Sequence, residues 1–323
     1  MTVRRVLVVH TGGTLGMSGT PLEPGLALHR LLSDVPELNQ LAKIESEVLC
    51  NLDSSDMNPG HWSSLARRIA ERADDIDGFV VIHGTDTMAF TAAALAFALP
   101  GLHRPIVLTG AQRPLSALRT DARRNLVDAV EVATCGPTEV MICFDGQLLR
   151  GTRATKLDAE HYRAFDSPGV EPLGRLGLDL DLRTGPREPT RGPLRLLPDF
   201  DPAVAVAWAT PAWSPASFDA LAQSVRGVVL AAWGVGTTAG HLAPSVRRAV
   251  DAGIDVLVVS QAGGRIDLNL YPNGRALRDA GAISGGRMRV EAAVPKFMHA
   301  LANIGDRAAR RTWLATDVAG EAQ

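Results

Sequence analysis

A chain of 323 residues, 46% of them hydrophobic, has enough apolar material for a substantial core, and its length favours about two domains. With 33 Lys and Arg against 35 Asp and Glu the net charge is −2 and the two signs are interspersed, so no basic excess points to nucleic acid or to an anionic membrane. Cys50, Cys135 and Cys143 form neither a CxxC pair nor an even framework, and the eight histidines fall in no HxxxH or HExxH spacing, so a reduced, cytoplasmic compartment and no metal site are expected.

The first run, RRVLVVH (residues 4–10), holds only Val6 to Val9 as apolar residues before His10. A secretory segment needs about 7–15 apolar residues, so this run reads as a first strand feeding a glycine turn. No later run approaches the roughly 18–20 residues of a membrane span. NPGHWSSLARRIAERA (58–73) puts Trp62, Leu65, Ile69 and Ala73 at helical spacing, with Asn58 and Pro59 as its start. GFVVIH (78–83) reads as a buried strand, and TMAFTAAALAFAL (87–99) as a buried helix ended by Pro100. PIVLTG (105–110), TDARRNLVDAVEVA (120–133) and EVMICF (139–144) continue as strand, helix and strand. Such alternation predicts βαβ units and a mostly parallel sheet, hence an α/β fold. The pattern stops near residue 183, where RTGPREPTRGPLRLLPDFDP holds five prolines and reads as a linker. It restarts with AVAVAWAT (203–210), GVVLAAWGVG (227–236) and DVLVVSQ (255–261). The expected organisation is a larger N-terminal domain over 1–183, a linker over 184–202 and a smaller α/β domain over 203–323.

Open parallel sheets bind ligands at the carboxyl ends of their strands. Four polar clusters follow strand-like runs: TGGT (11–14), DSSDM (53–57), HGTDTM (83–88) and TGAQRP (109–114). The first lacks both the GxGxxG fingerprint and the GK[ST] of a P-loop, so no nucleotide cofactor is expected. Its glycines would bring the Thr14 hydroxyl close to a small ligand, or Thr14 is simply a helix N-cap. Asp86 suits a substrate ammonium or the orientation of a base, and equally a favourable acid at a helix start. Thr87 reads as that helix's cap, and His83, at the strand end, as structural. Ser54 and Ser55 suit an amino-acid head group, or are ordinary loop content. Lys156 in RGTRATK is solvated surface unless it is partly buried against a carboxylate.

Together TGGTLGM, DSSDM, HGTDTM, TGAQRP with DARRNL, RGTRATK with AFDSP, WGVG and MRVEAAVPK span nearly the whole chain. In this order they resemble the bacterial-type L-asparaginases, and RGTRATK with FDSP resembles their cytoplasmic, type I branch. The resemblance implies two α/β domains, the larger with a left-handed crossover that breaks the usual handedness. It implies a cofactor-free amidohydrolase that converts L-asparagine to L-aspartate and ammonia, with glutamine a poorer substrate. It implies a homodimer or homotetramer with active sites at subunit contacts. Thr14 then matches the nucleophile, and Thr85, Asp86 and Lys156 match a relay. Asp86 also matches the grip on the substrate's α-amino group, and Ser54 and Ser55 the grip on its α-carboxylate. Backbone near Ala111 borders the side-chain amide. The oxyanion donors would be backbone N–H groups of the glycine turn and Thr85. A carboxylate beside Lys156 favours its charged form, a poor base, so either burial offsets this or Lys156 mainly orients Thr85.

Three positions depart from the pattern. SGTPLEPG (18–25) lacks the tyrosine that similar enzymes carry in a mobile loop; Thr20 falls near its place, and Pro21 and Pro24 restrict the segment. The only tyrosines are Tyr162 and Tyr271. This keeps a different small amide, or a catalytically weak asparagine-binding protein, as alternatives. Thr237 stands after GVG where asparagine is usual. Ala262 stands where some type I members place an allosteric cysteine, so weak or absent allostery is expected. An ammonia-generating amidotransferase component ranks lower, since such relatives carry a further domain ahead of the first strand.

Overall fold

The computed structural model describes residues 3–19, 23–24, 33–182 and 192–322. The chain divides into two compact units, residues 1–167 with 171–198 and residues 168–170 with 199–323. The strands of the first are β1 (Arg5–Gly12), β2 (Met17–Ser18), β3 (Glu23–Pro24), β4 (Lys43–Leu52), β5 (Gly78–Ile82), β6 (Ile106–Thr109), β7 (Val140–Phe144), β8 (Gln147–Arg150), β9 (Thr155–Lys156), β10 (Phe165–Asp166), β11 (Gly174–Leu176) and β12 (Leu180–Leu182). Among the described residues, eight of them form one sheet in the order β12-β11-β8-β7-β6-β5-β1-β4. From β4 to β7 every neighbouring pair is parallel, and β8, β11 and β12 add an antiparallel edge. The fully buried runs of β5, β6 and β7 are what strands covered on both faces require. Val6, Val8, Val80, Ile82 and Val107 pack with Leu126, Ala129 and Val130 of the helix Ala122–Cys135.

The helix Pro59–Arg72 starts in a capping box: the Asn58 side chain accepts the Gly60 N–H, and the Asn58 N–H donates to His61 Nδ1. Trp62, Leu65, Ala66 and Ile69 form its buried face. The helix Met88–Ala98 is buried on nearly every side, and its alanines let it pack closely. The expected Thr87 cap is not formed. Its hydroxyl donates 2.7 Å to the Ser54 carbonyl instead, tying two loops together and leaving the helix without a side-chain cap. Within the stretch read as a linker, residues 192–198 belong to the first unit, where Arg195 and Leu197 donate to the Pro100 and Ala98 carbonyls. The change of unit falls at Asp199.

His83 follows β5 and lies in a fully buried chain of hydrogen bonds. The Trp62 indole donates 3.0 Å to Thr91 Oγ1, Thr91 Oγ1 lies 2.9 Å from His83 Nε2, and His83 Nδ1 lies 2.7 Å from the Gly84 carbonyl. A carbonyl only accepts, so Nδ1 carries a proton, and burial, which disfavours a second one, leaves Nε2 to accept from Thr91. Burial pushes the His83 pKa down to about 4, so the ring is neutral at neutral pH. It fixes the peptide that opens the HGTDTM loop.

The second unit has strands β13 (Val204–Trp208), β14 (Gly227–Ala232), β15 (Asp255–Ser260) and β16 (Ile283–Ser284), paired in parallel in that order. Its helix Val290–Asn303 carries Lys296, fully buried with Glu321 at 2.6 Å. The ammonium also donates to the Leu314 and Thr316 carbonyls and sits 5.2 Å from the centre of the Trp313 ring. Glu321 accepts the N–H groups of Val318 and Ala319, so the pair stitches the chain's end to this helix. Among the described residues no helix is long and apolar enough to cross a membrane.

These buried groups carry two expected outcomes. Glu321→Ala strands a buried ammonium and two N–H donors, and should cost about 3–5 kcal/mol in denaturant unfolding of the full chain; a loss under about 1 kcal/mol would mean that the pair is dispensable. For His83 the folded pKa of about 4 lies below the ordinary 6.5, so its contribution is complete above 6.5 and is lost as pH falls towards 4. Over that window His83→Gln should flatten the pH dependence of the unfolding free energy by about 3 kcal/mol, and equal slopes in both proteins would refute the assignment.

Candidate active site

The site is assembled where the turns after neighbouring strands meet. Gly13, at φ +92°, precedes a single 3-10 turn, Thr14–Gly16, and its N–H donates to Leu52 at the end of β4. A Cβ on Gly13 would fall 2.5 Å from the backbone of Gly84, and one on Gly84 would fall 2.6 Å from the Ser54 side chain. The TGGT, HGTDTM and DSSDM turns are therefore in direct contact, an approach that only glycine allows. The TGAQRP loop joins them through the Leu115 N–H, which donates to the Leu15 carbonyl.

Thr14 is half-buried and is not an N-cap; that position is Gly13, and no side chain caps the turn. Among the described residues its hydroxyl has no hydrogen-bond partner. Thr85, buried, lies one residue beyond the Gly13–Gly84 contact. Lys156 reaches it from the β9–β10 hairpin, where it pairs with Phe165. Its ammonium donates 2.8 Å to Thr85 Oγ1 and 2.6 Å to Asp86 Oδ1. The Lys156 side chain is 18% exposed and that of Asp86 66%, so the aspartate keeps an accessible face for a ligand while holding the lysine. Thr14, Thr85, Asp86 and Lys156 thus gather at one sheet end although Lys156 lies 70 residues from Asp86 in the chain.

The other expected residues surround this group. Ser54 is buried against Gly84. Ser55 is exposed and gives both its N–H and its hydroxyl to Asp53 Oδ1 at 2.8 Å, which lowers the Asp53 pKa. Ala111 is buried between Gly110 and Gln112 in the chain. In the second unit Thr237 closes a tight turn, its N–H on the Trp233 carbonyl, and the Ala262 N–H donates to Ser260 Oγ. Thr20 and Pro21 lie outside the described residues. Among the described residues no group of three or more His, Cys, Asp or Glu side chains could hold a metal.

Three residues near the site escaped the sequence reading. Asp121, buried, accepts the N–H groups of Gln112 and Arg113 at 2.9 and 3.0 Å. Asn125 donates to Asp121 and to the Gly110 carbonyl and accepts the Asp145 N–H. Gln112 itself lies 3.5 Å from Thr85 Oγ1. The available signal was DARRNL, in which an acid and an amide four residues apart share one helix face after a Gly- and Pro-containing loop.

Comparison with known proteins identifies the family. The family model "Asparaginase, N-terminal" matches residues 5–187, and "Glutaminase/Asparaginase C-terminal domain" matches residues 203–314. The chain is 36% identical to L-asparaginase 1 of Escherichia coli K12 over 335 aligned residues, covering 99% of this chain and 98% of that one. It is 33% identical to one of the subunits of the glutamyl-tRNA(Gln) amidotransferase of Pyrococcus furiosus, covering 98% of this chain and 76% of that one. The crystal structure of L-asparaginase I from Vibrio cholerae superposes with a TM-score of 0.92 at 31% identity, over 100% of both chains. The chain belongs to the asparaginase family and is an amidohydrolase.

Proposed function

We propose that the enzyme hydrolyses L-asparagine to L-aspartate and ammonia through an acyl-enzyme on Thr14. The observation that supports this reading is the Gly13–Gly84 contact: Thr14 and Thr85 each follow one of these glycines, Thr14 has no hydrogen-bond partner among the described residues, and Thr85 is hydrogen-bonded to Lys156. The name shared by the Escherichia coli and Vibrio cholerae relatives supports the choice of substrate. Thr14 Oγ attacks the side-chain amide carbon, its proton passes to the departing nitrogen, and ammonia leaves; water then cleaves the ester to aspartate and restores Thr14. Backbone N–H groups of the glycine turn and of Thr85 stabilise the oxyanion. Asp86 takes the α-ammonium on its exposed side, and Ser54 and Ser55 take the α-carboxylate, Ser55 by turning its hydroxyl away from Asp53. Ala111 borders the amide. Lys156, donating to both partners, acts mainly by orientation and charge. The enzyme works as a cytoplasmic homodimer or homotetramer without a cofactor.

A different small amide is the second reading, favoured by the absence of a tyrosine from SGTPLEPG. Ammonia release by the purified protein separates the two. L-Asparagine should exceed L-glutamine by about 10–200-fold in kcat/KM, the range that one methylene allows. Thr14→Ala should lower kcat by about 10³-fold or more, and Thr85→Val and Lys156→Met by roughly 10²–10⁴-fold. No release from either amide by folded protein would discard the asparagine reading, and near-normal turnover of Lys156→Met would remove that residue from the mechanism.

A further inference from the structure

We infer that Gln112 is a positioning residue that sets the direction of the Thr85 hydroxyl; the inference rests on the relay proposed above. Thr85 Oγ1 has one proton and two lone pairs to place. One neighbour is Lys156 Nζ at 2.8 Å, which as an ammonium can only donate. The other is Gln112 Oε1 at 3.5 Å. The orientation of the Gln112 amide is dictated from its far side: Nε2 donates 3.0 Å to the His161 carbonyl, which accepts only. A flipped amide would set two carbonyl oxygens against each other. With Oε1 turned to Thr85, the threonine proton is the one hydrogen that can bridge the two oxygens. Thr85 is thus arranged with its proton towards Gln112, one lone pair on Lys156 and, among the described residues, its second lone pair free. A hydroxyl held this way meets the proton of the nucleophile with a lone pair and not with its own hydrogen.

Both ends of the glutamine are braced. Its N–H lies 2.9 and 3.1 Å from the two oxygens of buried Asp121, which also holds the Arg113 N–H. The His161 segment is pinned in turn: the His161 N–H donates 2.8 Å to Asp158, the Leu157 N–H donates 2.8 Å to the Ala164 carbonyl, and the Tyr162 hydroxyl donates to the Arg119 carbonyl. The contact with Thr85 is long at 3.5 Å, and catalytic hydrogen bonds of such length tighten in the Michaelis or transition-state complex. A glutamine serving only as a latch between the 112–120 and 157–164 segments needs Nε2 alone. A glutamine that steers Thr85 needs Oε1, and this separates the two roles.

The test compares Gln112→Met and Gln112→Glu, each checked for wild-type thermal unfolding, with L-asparagine as substrate. Methionine removes both functions, whereas glutamate keeps the acceptor and loses the donor to His161. Steering predicts that Gln112→Met loses about 10–100-fold in kcat with KM within about threefold, while Gln112→Glu stays within about threefold of wild type at neutral pH. Equal losses in the two variants would reduce Gln112 to a latch, and a normal Gln112→Met would overturn the inference outright. Neutron diffraction from deuterated wild-type crystals supplies an answer independent of turnover. Deuterium on Thr85 should point to Gln112 Oε1, and deuterium pointing at Lys156 would refute the proposal even in a protein inactive towards asparagine.

Discussion

The backbone contact between Gly13 and Gly84 is the constraint on which the site depends. A parallel sheet in the order β6-β5-β1-β4 already brings the carboxyl ends of four neighbouring strands to one edge. Adjacency alone leaves loops several ångströms apart, with side chains between them. Removing the Cβ at both glycines closes that gap, and Ser54 fills the space behind Gly84. The Thr14 and Thr85 hydroxyls are then placed by main chain, which has fewer soft degrees of freedom than any pair of long side chains. Because Gly84 is wedged between Gly13 and Ser54, a displacement of any one of these turns is transmitted to the other two.

Around this contact, buried polar side chains hold the loops in place. His83 is neutral and bonded on both ring nitrogens, so it fixes the Gly84 peptide without burying a charge. Asp121 and Asn125 hold the TGAQRP loop by collecting its N–H groups and a carbonyl. Buried networks of this kind rigidify a site only when all their members are satisfied, since one orphaned group costs as much as several bonds return. The Trp62–Thr91–His83–Gly84 chain meets that condition, and it extends the rigid region from the site back into the core.

The sequence was most legible where a pattern repeats. Hydrophobic periodicity separated the strands from the helices, and Asn58 with Pro59 marked a helix start that the structure caps in both directions. It was least legible where a tertiary partner outbids a local one. Thr87 is a plausible cap by composition, but the Ser54 carbonyl, 33 residues away, takes its hydroxyl. Lys156 sits on a strand of two residues whose pairing with Phe165 has no periodic signature, so only the motif drew attention to it. Gln112 is harder still. Its orientation depends on the His161 carbonyl, 49 residues on, and a main-chain acceptor leaves no trace in the identity of the residue that carries it.

The Lys156–Asp86 pair shows why exposure matters as much as distance. At 2.6 Å the contact is short, but the aspartate is two-thirds exposed, and an ion pair so open to water stabilises the fold by no more than about 1 kcal/mol. Its worth lies elsewhere. A lysine that donates to both Thr85 and Asp86 has lost its rotational freedom before substrate arrives, and the entropy of ordering it is not charged to the reaction. An exposed carboxylate gains in strength when a ligand covers it and excludes water, because the same charges then interact through a lower effective dielectric.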